Sequence, residues 1–252
     1  MKRLCIIVCC FLLAWGLAGC GNDEKKVLRV GTTANFPPFE YVKPNSDVFV
    51  GFDIDLMKNL ANLLGYYEVE FVNVEFHKLL EGLEAKKYDA VISGLVITPE
   101  REERVAFTKP YITDGLTIVL PVGTKLPNEA ASLRRKRVAV ESSSIAFDWV
   151  MKNTNHNNIV VTTSTEEAIK AVVDNKADCM VASKLSVAYL LANGFSDSVR
   201  FAGENILLAD EIAIAVHKEN NELLQKFNAE LEKYCKRASY RNLCRTYFGS
   251  MK

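Results

Sequence analysis

One arginine in the first turn of a short predicted helix stands out for its chemistry. The stretch from residue 88 to 101 (YDAVISGLVITPER) predicts a strand, then a helix with Thr98 as its N-cap and a proline in the first helical position. Arg101 falls where the helix dipole disfavours a cation. Its planar guanidinium suits the binding of a carboxylate. A surface ion pair with Glu102 or Glu103 is the alternative, and spacing does not decide between them.

Other kinds of chemistry find less support. His77, His156 and His217 are scattered, with no serine or cysteine nucleophile signature beside them. No Cys/His spacing suits a structural zinc site, so we expect neither a metal nor a cofactor. The chain balances 31 Lys and Arg against 31 Asp and Glu. Its one basic run, residues 134–137, is typical of a solvated loop and not of a nucleic-acid site, because no aromatic residues interleave with it.

The N-terminus predicts export. Two basic residues precede an apolar stretch, residues 4–17, that is too short for a comfortable membrane span. Residues 17–20 (LAGC) resemble the lipobox of bacterial lipoproteins. We therefore expect residues 1–19 to be a signal peptide and Cys20 to carry lipid such as palmitate. An ordinary signal peptide with a chance cysteine is the alternative.

A lipid on Cys20 would place the protein in the cell envelope. Residues 20–26 are short, polar and charged, which is typical of a flexible tether. The folded body would be anchored to the membrane and face the periplasm or the extracellular side. Within that body Cys179 lies in an apolar run and is expected to be buried. Cys235 and Cys244 flank a helix break and could form a disulfide in an oxidising envelope.

Alternating strands and helices would position these residues. The predicted strands are residues 27–32, 69–74, 90–93, 137–140, 159–162 and 179–182, and the predicted helices are residues 53–64, 78–86, 144–153, 165–175, 219–236 and 240–248. This alternation is typical of α/β folds with mostly parallel sheets flanked by helices. Its repetition predicts two lobes, with residues 111–115 and 211–216 crossing between them and a ligand cleft at the crossing.

Four motifs, in order and correctly spaced, carry a family resemblance. They are residues 36–40 (FPPFE), 51–56 (GFDIDL), 93–101 (SGLVITPER) and 107–111 (FTKPY). They resemble family 3 of the bacterial extracellular solute-binding proteins, and the similarity runs from about residue 27 to 249. The resemblance implies a two-lobe, type II periplasmic-binding-protein-like fold with its cleft at the hinge. It also implies capture of a carboxylate-bearing small molecule, an amino acid or a close relative, for an ABC importer.

The resemblance extends to domain boundaries and partners. Residues 27–112 and 213–252 would form one lobe and residues 113–212 the other. The partners would be the ligand, an ABC permease in the membrane and the membrane itself, with the protein acting as a monomer. An enzyme similar to cyclohexadienyl dehydratases and a ligand sensor are the alternatives of lower rank, since no paired acid–base set is visible.

At matching positions the resemblance implies roles for individual residues. Arg101 would hold the ligand carboxylate, and the backbone of Ser93 and Gly94 would face the ligand. Phe36 and Phe76 would form aromatic walls on its two sides.

The other lobe would contribute residues 141–145 (ESSSI). Ser144, with Ile145 next to it, would offer a hydroxyl and backbone N–H groups at a helix N-terminus, which is an anion site facing Arg101. A plain N-cap is the other role of Ser144, and the two are compatible.

Three positions depart from the family pattern around the ligand ammonium. The family usually has Ser or Thr at Val96, Asp at Ser183 and often an acid at Thr33. Since burying an unpaired ammonium is costly, these losses need compensation. Either Glu141 supplies the missing negative charge, or the ligand is a small acid that lacks an α-amino group. Glu141 could also be a solvent-facing strand end.

Overall fold

The computed structural model describes residues 26–204 and 206–248. The predicted signal peptide and the lipidation site Cys20 lie outside the described residues. The strands are β1 (Val27–Thr32), β2 (Asn35–Phe36), β3 (Glu40–Val42), β4 (Phe49–Val50), β5 (Glu68–Asn73), β6 (Ala90–Val91), β7 (Ala106–Phe107), β8 (Ile112–Pro121), β9 (Val138–Glu141), β10 (Ile159–Thr162), β11 (Cys179–Ser183), β12 (Val199–Phe201), β13 (Ala209–Ile212) and β14 (Ala215–Val216). The helices are α1 (Phe52–Leu63), α2 (Leu79–Glu84), α3 (Pro99–Glu102), α4 (Ile145–Asn153), α5 (Thr165–Val173), α6 (Lys184–Leu190), α7 (Asn221–Tyr234) and α8 (Ala238–Phe248).

A five-stranded sheet and a six-stranded sheet, in which β13 also pairs with β8, organise these elements into two lobes. The first lobe is built on the order β5-β1-β6-β14-β7, and the second on β10-β9-β11-β8-β12. Each sheet has three parallel strands, extended by antiparallel ones. The predicted α/β class with sheets flanked by helices is confirmed. The antiparallel strands β8 and β14 lie next to the crossings between the lobes. The alternation of strands and helices in the sequence does not predict that these two strands are antiparallel.

Helices cover both faces of each sheet, which explains why the central strands are apolar throughout. In the first lobe α1, α7 and α8 pack on one face and α2 on the other. In the second lobe α5 and α6 lie opposite α4. The strand β8 is buried from Gly115 to Leu120 as a result. No helix of the described residues combines the length and apolar character needed to span a membrane.

Two neighbouring strands carry the chain across the lobe boundary. β8 enters the second sheet directly after Tyr111, and β13 returns and pairs with it antiparallel. In this register Asp210 lies opposite Asp114. The predicted run 211–216 is divided between β13 and β14, with Ala213 and Ile214 between them.

The three cysteines of the folded body are free thiols. Cys179 is fully buried in β11, as its apolar surroundings indicate. Cys235 follows the last residue of α7, and Cys244 is buried in α8. The disulfide that Cys235 and Cys244 could form in an oxidising envelope is not formed in the structure.

Candidate functional site

A cavity between the two lobes has a volume of about 230 Å³. This volume lies somewhat below the range of about 300 to 1,000 Å³ that is typical of small-molecule sites. Its wall includes eight of the nine residues predicted to bind ligand: Phe36, Phe76, Gly94, Arg101, Glu141, Ser144, Ile145 and Ser183. The site therefore combines groups that are distant in the sequence. The wall contains three kinds of polar group: the guanidinium of Arg101, the N-terminus of α4 and several acidic side chains.

Arg101 presents the cation of the wall. Thr98 caps α3 by accepting a hydrogen bond from the Arg101 backbone N–H at 3.3 Å, so the predicted cap and helix start are present. The Arg101 Nη1 donates to the carbonyl oxygen of Val96 at 2.7 Å, and its Cζ lies 5.4 Å from the centre of the Phe76 ring. Both contacts fix the guanidinium plane, and the second is a cation–π contact.

The guanidinium of Arg101 keeps donors for a ligand. Among the described residues no acidic side chain forms an ion pair with it, so the surface pairing with Glu102 or Glu103 is not observed. Burial lowers the pKa of Arg101, whereas the charges of Asp148, Glu100 and Asp210 raise it. A half-buried guanidinium without a bound acid favours an anionic partner.

Gly94 forms the wall beside this arginine because no other residue fits there. Its φ of 52° lies in the left-handed region. A Cβ at this position would lie 2.9 Å from a ring carbon of Phe36. The Phe36 ring is held in turn by stacking on Phe39, with ring centres 5.3 Å apart. The backbone at Gly94 therefore lines the cavity, as predicted, in direct contact with the aromatic ring of Phe36.

Ser93, the ninth predicted residue, lies behind the wall. Its hydroxyl donates to Glu40 Oε1 at 2.7 Å and accepts from the Thr33 backbone N–H at 3.1 Å. The Thr33 hydroxyl also donates to Glu40 Oε1, at 2.9 Å. The Ser93 hydroxyl is therefore used in hydrogen bonds to Glu40 and Thr33, and these bonds hold the loop at Gly94 in position. Glu40 has its other oxygen, Oε2, buried without a hydrogen-bond partner among the described residues.

Across the cavity Ser144 begins α4. Its hydroxyl accepts from the Phe147 N–H at 3.1 Å and donates to the carbonyl oxygen of Glu141 at 2.7 Å. Both hydroxyl functions are therefore used within the chain. The first N–H groups of α4 have no intrahelical acceptor and lie in the cavity wall with Ser144 and Ile145. The preceding residue Ser143 has a φ of 61°, a strained conformation that turns the chain into this helix.

The remaining charged groups of the wall are acids. Glu141 Oε2 accepts from the Thr165 hydroxyl at 2.6 Å, and burial raises the pKa of Glu141. It is not a solvent-facing strand end. Ser183 donates to Asp114 Oδ2 at 2.5 Å and caps α6 by accepting from the Ser186 N–H. Burial raises the pKa of Asp114 as well.

Asp114 and Asp210 were not singled out from the sequence. Both lie in the cavity wall, on β8 and β13. The signal that could have found Asp114 is a single acid in the apolar strand from residue 112 to 121. Asp210 stands one residue before the predicted crossing run, where an acid looks like an ordinary strand end. Among residues 26–204 and 206–248 no cluster of His, Cys, Asp and Glu is arranged for a metal ion.

Similarity to known proteins covers almost the whole chain. The ABC transporter arginine-binding protein 1 of Escherichia coli (strain K12) is 30% identical over 252 residues, covering 98% of this chain and 99% of that protein. A solved ancestral arginine-binding protein bound to glutamine is 33% identical, with a TM-score of 0.78 over 89% of this chain and 98% of that one. The ancestral amino acid-binding protein AncCDT-1, a precursor of cyclohexadienyl dehydratase, is 30% identical with a TM-score of 0.78, over 89% of this chain and 96% of that one.

Residues 28–250 match the bacterial extracellular solute-binding proteins, family 3. The motifs, the two-lobe α/β architecture and the match over this range agree with one another. The chain belongs to this family.

Proposed function

We propose that this protein captures an α-amino acid, L-arginine or a closely related cationic one, and delivers it to the permease of an ABC importer. One observation carries the proposal. The guanidinium of Arg101 lies without an acidic partner in a cavity wall that also contains the N-terminus of α4. These two groups are complementary to a carboxylate from opposite sides.

The balance of charge in the wall supports a cationic ligand. Glu40, Asp114, Glu141 and Asp210 are acids, whereas Arg101 is the one arginine among the lining residues, which include no lysine. A ligand with one carboxylate and two cationic groups offsets this surplus. The names of the relatives point the same way, since one is an arginine-binding protein of Escherichia coli and another is an ancestral arginine-binding protein. We expect affinity to fall in the order arginine, glutamine, glutamate.

Capture would proceed by closure of the lobes. A ligand that contacts Arg101 in the first lobe and the α4 N-terminus in the second makes both contacts only when the lobes approach. It thereby stabilises the closed form, which the permease would recognise. The protein would bind its ligand without converting it, so incubation with prephenate or arogenate should release no phenylpyruvate or phenylalanine.

Export and lipidation would hold this protein at the membrane. The lipobox-like residues 17–20 support acylation of Cys20. Metabolic labelling with a palmitate analogue should mark the wild-type protein and not Cys20→Ser. Labelling of neither would support an ordinary signal peptide.

Calorimetric titration of L-arginine into wild type and Arg101→Ala tests the binding site. We expect the variant to lose at least about 100-fold in affinity, because a buried charge-assisted contact to the carboxylate is removed. Arg104→Ala is the matched control, since Arg104 is an exposed neighbour that pairs with Glu84. It should bind as wild type does. Equal affinity of Arg101→Ala and wild type would contradict the mechanism.

The same titration distinguishes the alternative ligand class. An α-amino acid site should bind L-arginine more tightly than 5-guanidinopentanoate, which is identical except that it lacks the α-amino group. Tighter binding of the deaminated compound would favour a small acid as the ligand.

A further inference from the structure

Two carboxylates face each other on the strands that join the lobes. Asp114 of β8 and Asp210 of β13 are directly opposite in the antiparallel pair, and both line the cavity. Like charges in this arrangement destabilise a sheet. The two pairs flanking them, Thr113 with Glu211 and Gly115 with Ala209, provide no cation. The sheet therefore carries a repulsion that nothing within the pairing relieves.

Asp210 lacks a partner although it is almost fully buried. Its exposed fraction is 7%, and no described residue forms a hydrogen bond or an ion pair with its carboxylate. The charge of Arg101 on α3 lowers the pKa of Asp210 without an ion pair between the two side chains. Buried carboxylates are normally paired or hydrogen-bonded, so this one is suited to a partner that enters the cavity.

The carboxylate of Asp114, in contrast, is held in place by two hydrogen bonds. Its Oδ2 accepts the Ser183 hydroxyl at 2.5 Å, and its Oδ1 accepts the Leu185 N–H at 3.2 Å. Ser183 is the position at which the family resemblance leads one to expect an aspartate. Here a hydroxyl at that position orients a carboxylate on the neighbouring strand β8, which pairs with β11. The negative charge is present, but it has moved from β11 to the crossing strands.

We infer that Asp114 and Asp210 form the subsite for the α-ammonium of the ligand, in place of an acid at position 183. This inference rests on the proposed function, because an α-ammonium is present only if the ligand is an amino acid. A primary ammonium has three donors, enough to bridge both carboxylates and one further acceptor. It would replace the repulsion between the two strands by attraction to a shared cation. Neither an ammonium site at Glu141 nor a ligand without an amino group is then required.

Calorimetric titration of Asp210→Asn with two ligands tests the assignment. The ligands are L-arginine and 5-guanidinopentanoate. The substitution should weaken L-arginine by roughly 10- to 100-fold, since a charged hydrogen bond is lost, and 5-guanidinopentanoate by less than about 2-fold. Asp114→Asn should give the same contrast. Glu211→Gln, on the same strand with its side chain exposed, should change neither affinity.

Thermal unfolding without ligand separates this role from a structural one. Asp210→Asn should melt at the same temperature as wild type or higher, because the substitution removes repulsion. Equal weakening of both ligands, or of neither, would overturn the subsite. A wild-type protein that does not bind L-arginine would instead contradict the proposed function.

Discussion

At the scale of single residues, burial sets the protonation of the acids in and behind the cavity. It raises the pKa of Asp210 to about 6. The charge of Asp114 raises it further, and that of Arg101 lowers it. A bound ammonium would favour the ionised form of Asp210 and so lower its pKa. Ligand binding and proton release are therefore expected to be linked.

Binding of L-arginine at pH 6 should release up to about half a proton, since half of Asp210 is then protonated in the free protein. Affinity should fall as the pH decreases below 6. The measurement is calorimetry in buffers of different ionisation enthalpy. Asp210→Asn should remove most of the buffer dependence. A heat independent of the buffer in the wild type would contradict this linkage.

Glu40, which lines the cavity, and Asp53 share a buried region. Burial, and then the charge of Asp53, raise the pKa of Glu40 well above its usual value of 4.5. Burial also raises the pKa of Asp53 to about 6, although hydrogen bonds from the Gly94 N–H and the Tyr111 hydroxyl oppose the shift. A raised pKa in the folded state means that the protonated form is favoured by folding. The stability is present below the unfolded-state pKa and is lost as the pH rises through the folded-state value.

Glu40→Gln should therefore flatten the pH dependence of stability. Glutamine stays neutral and keeps an oxygen acceptor for Thr33 and Ser93. As the pH rises from the unfolded-state pKa of Glu40 towards its folded-state pKa, the free energy of unfolding of the wild type should fall relative to that of the variant, by about 1.4 kcal/mol for each pH unit. Urea unfolding at several pH values measures it. Glu68→Gln, at an exposed position on β5, is the control and should follow the wild type.

Residue types and spacing predicted one half of the site better than the other. Arg101 and Ser144 could be found because each stands at a helix start that Thr98 or the serine run marks in the sequence. The pairing of Asp114 with Asp210 could not be found in this way, because it depends on the register of β8 with β13. That pairing joins residues about a hundred positions apart, and strand periodicity does not determine register between distant strands.

At the scale of elements, the cavity depends on short helices that start at its wall. α3 has only four residues, Pro99–Glu102, and cannot be stable by itself. The Thr98 cap and the Arg101 contact to Val96 hold it. Loss of helical structure in α3 would therefore displace the guanidinium of Arg101.

Thr98→Ala should weaken L-arginine binding by roughly 3- to 10-fold, since loss of a cap costs about 1 kcal/mol and here frees Arg101. Global stability should change little, because α3 contributes no buried residue to the core. Thr98→Ser should bind L-arginine as the wild type does, because serine also caps a helix. Asn220→Ala removes the cap of α7 and is the opposite control: it should lower stability and leave affinity unchanged. Calorimetry and urea unfolding measure the two quantities.

The predicted helices and strands agree with the structure to within a few residues, but the structure adds elements that were not predicted, among them β7, most of β8 and β12. The small sheet β2-β3-β4 was not predicted, because its strands have two or three residues and show no period. α6 was not predicted either. Its start at Ser183 has the N-cap chemistry, but the apolar run of β11 continues into it without a break.

At the scale of the whole molecule, two lobes are joined by strands that also form part of the cavity wall. Because the ligand would contact the first lobe, the second lobe and the crossing strands, its binding energy is available for closure. Phe36 and Arg101 line the cavity from the first lobe, Glu141 lines it from the second lobe, and Asp210 lines it from the crossing strand β13.

Small-angle X-ray scattering should show a decrease in the radius of gyration of the wild type when L-arginine is added, because the lobes approach. Arg101→Ala should show no decrease at the same ligand concentration. A decrease in the variant equal to that of the wild type would show that closure does not depend on this arginine.

The order of strands in the two sheets has a consequence for how the chain folds as it is synthesised and exported. The second sheet draws its strands from residues 112–212, all of which leave the ribosome or the translocon before β14. The first sheet has β14 between β6 and β7, so those two strands cannot be joined until residue 216 is available. Although the first lobe starts earlier, it must finish later, and until then its unpaired edges are exposed to chaperones and proteases.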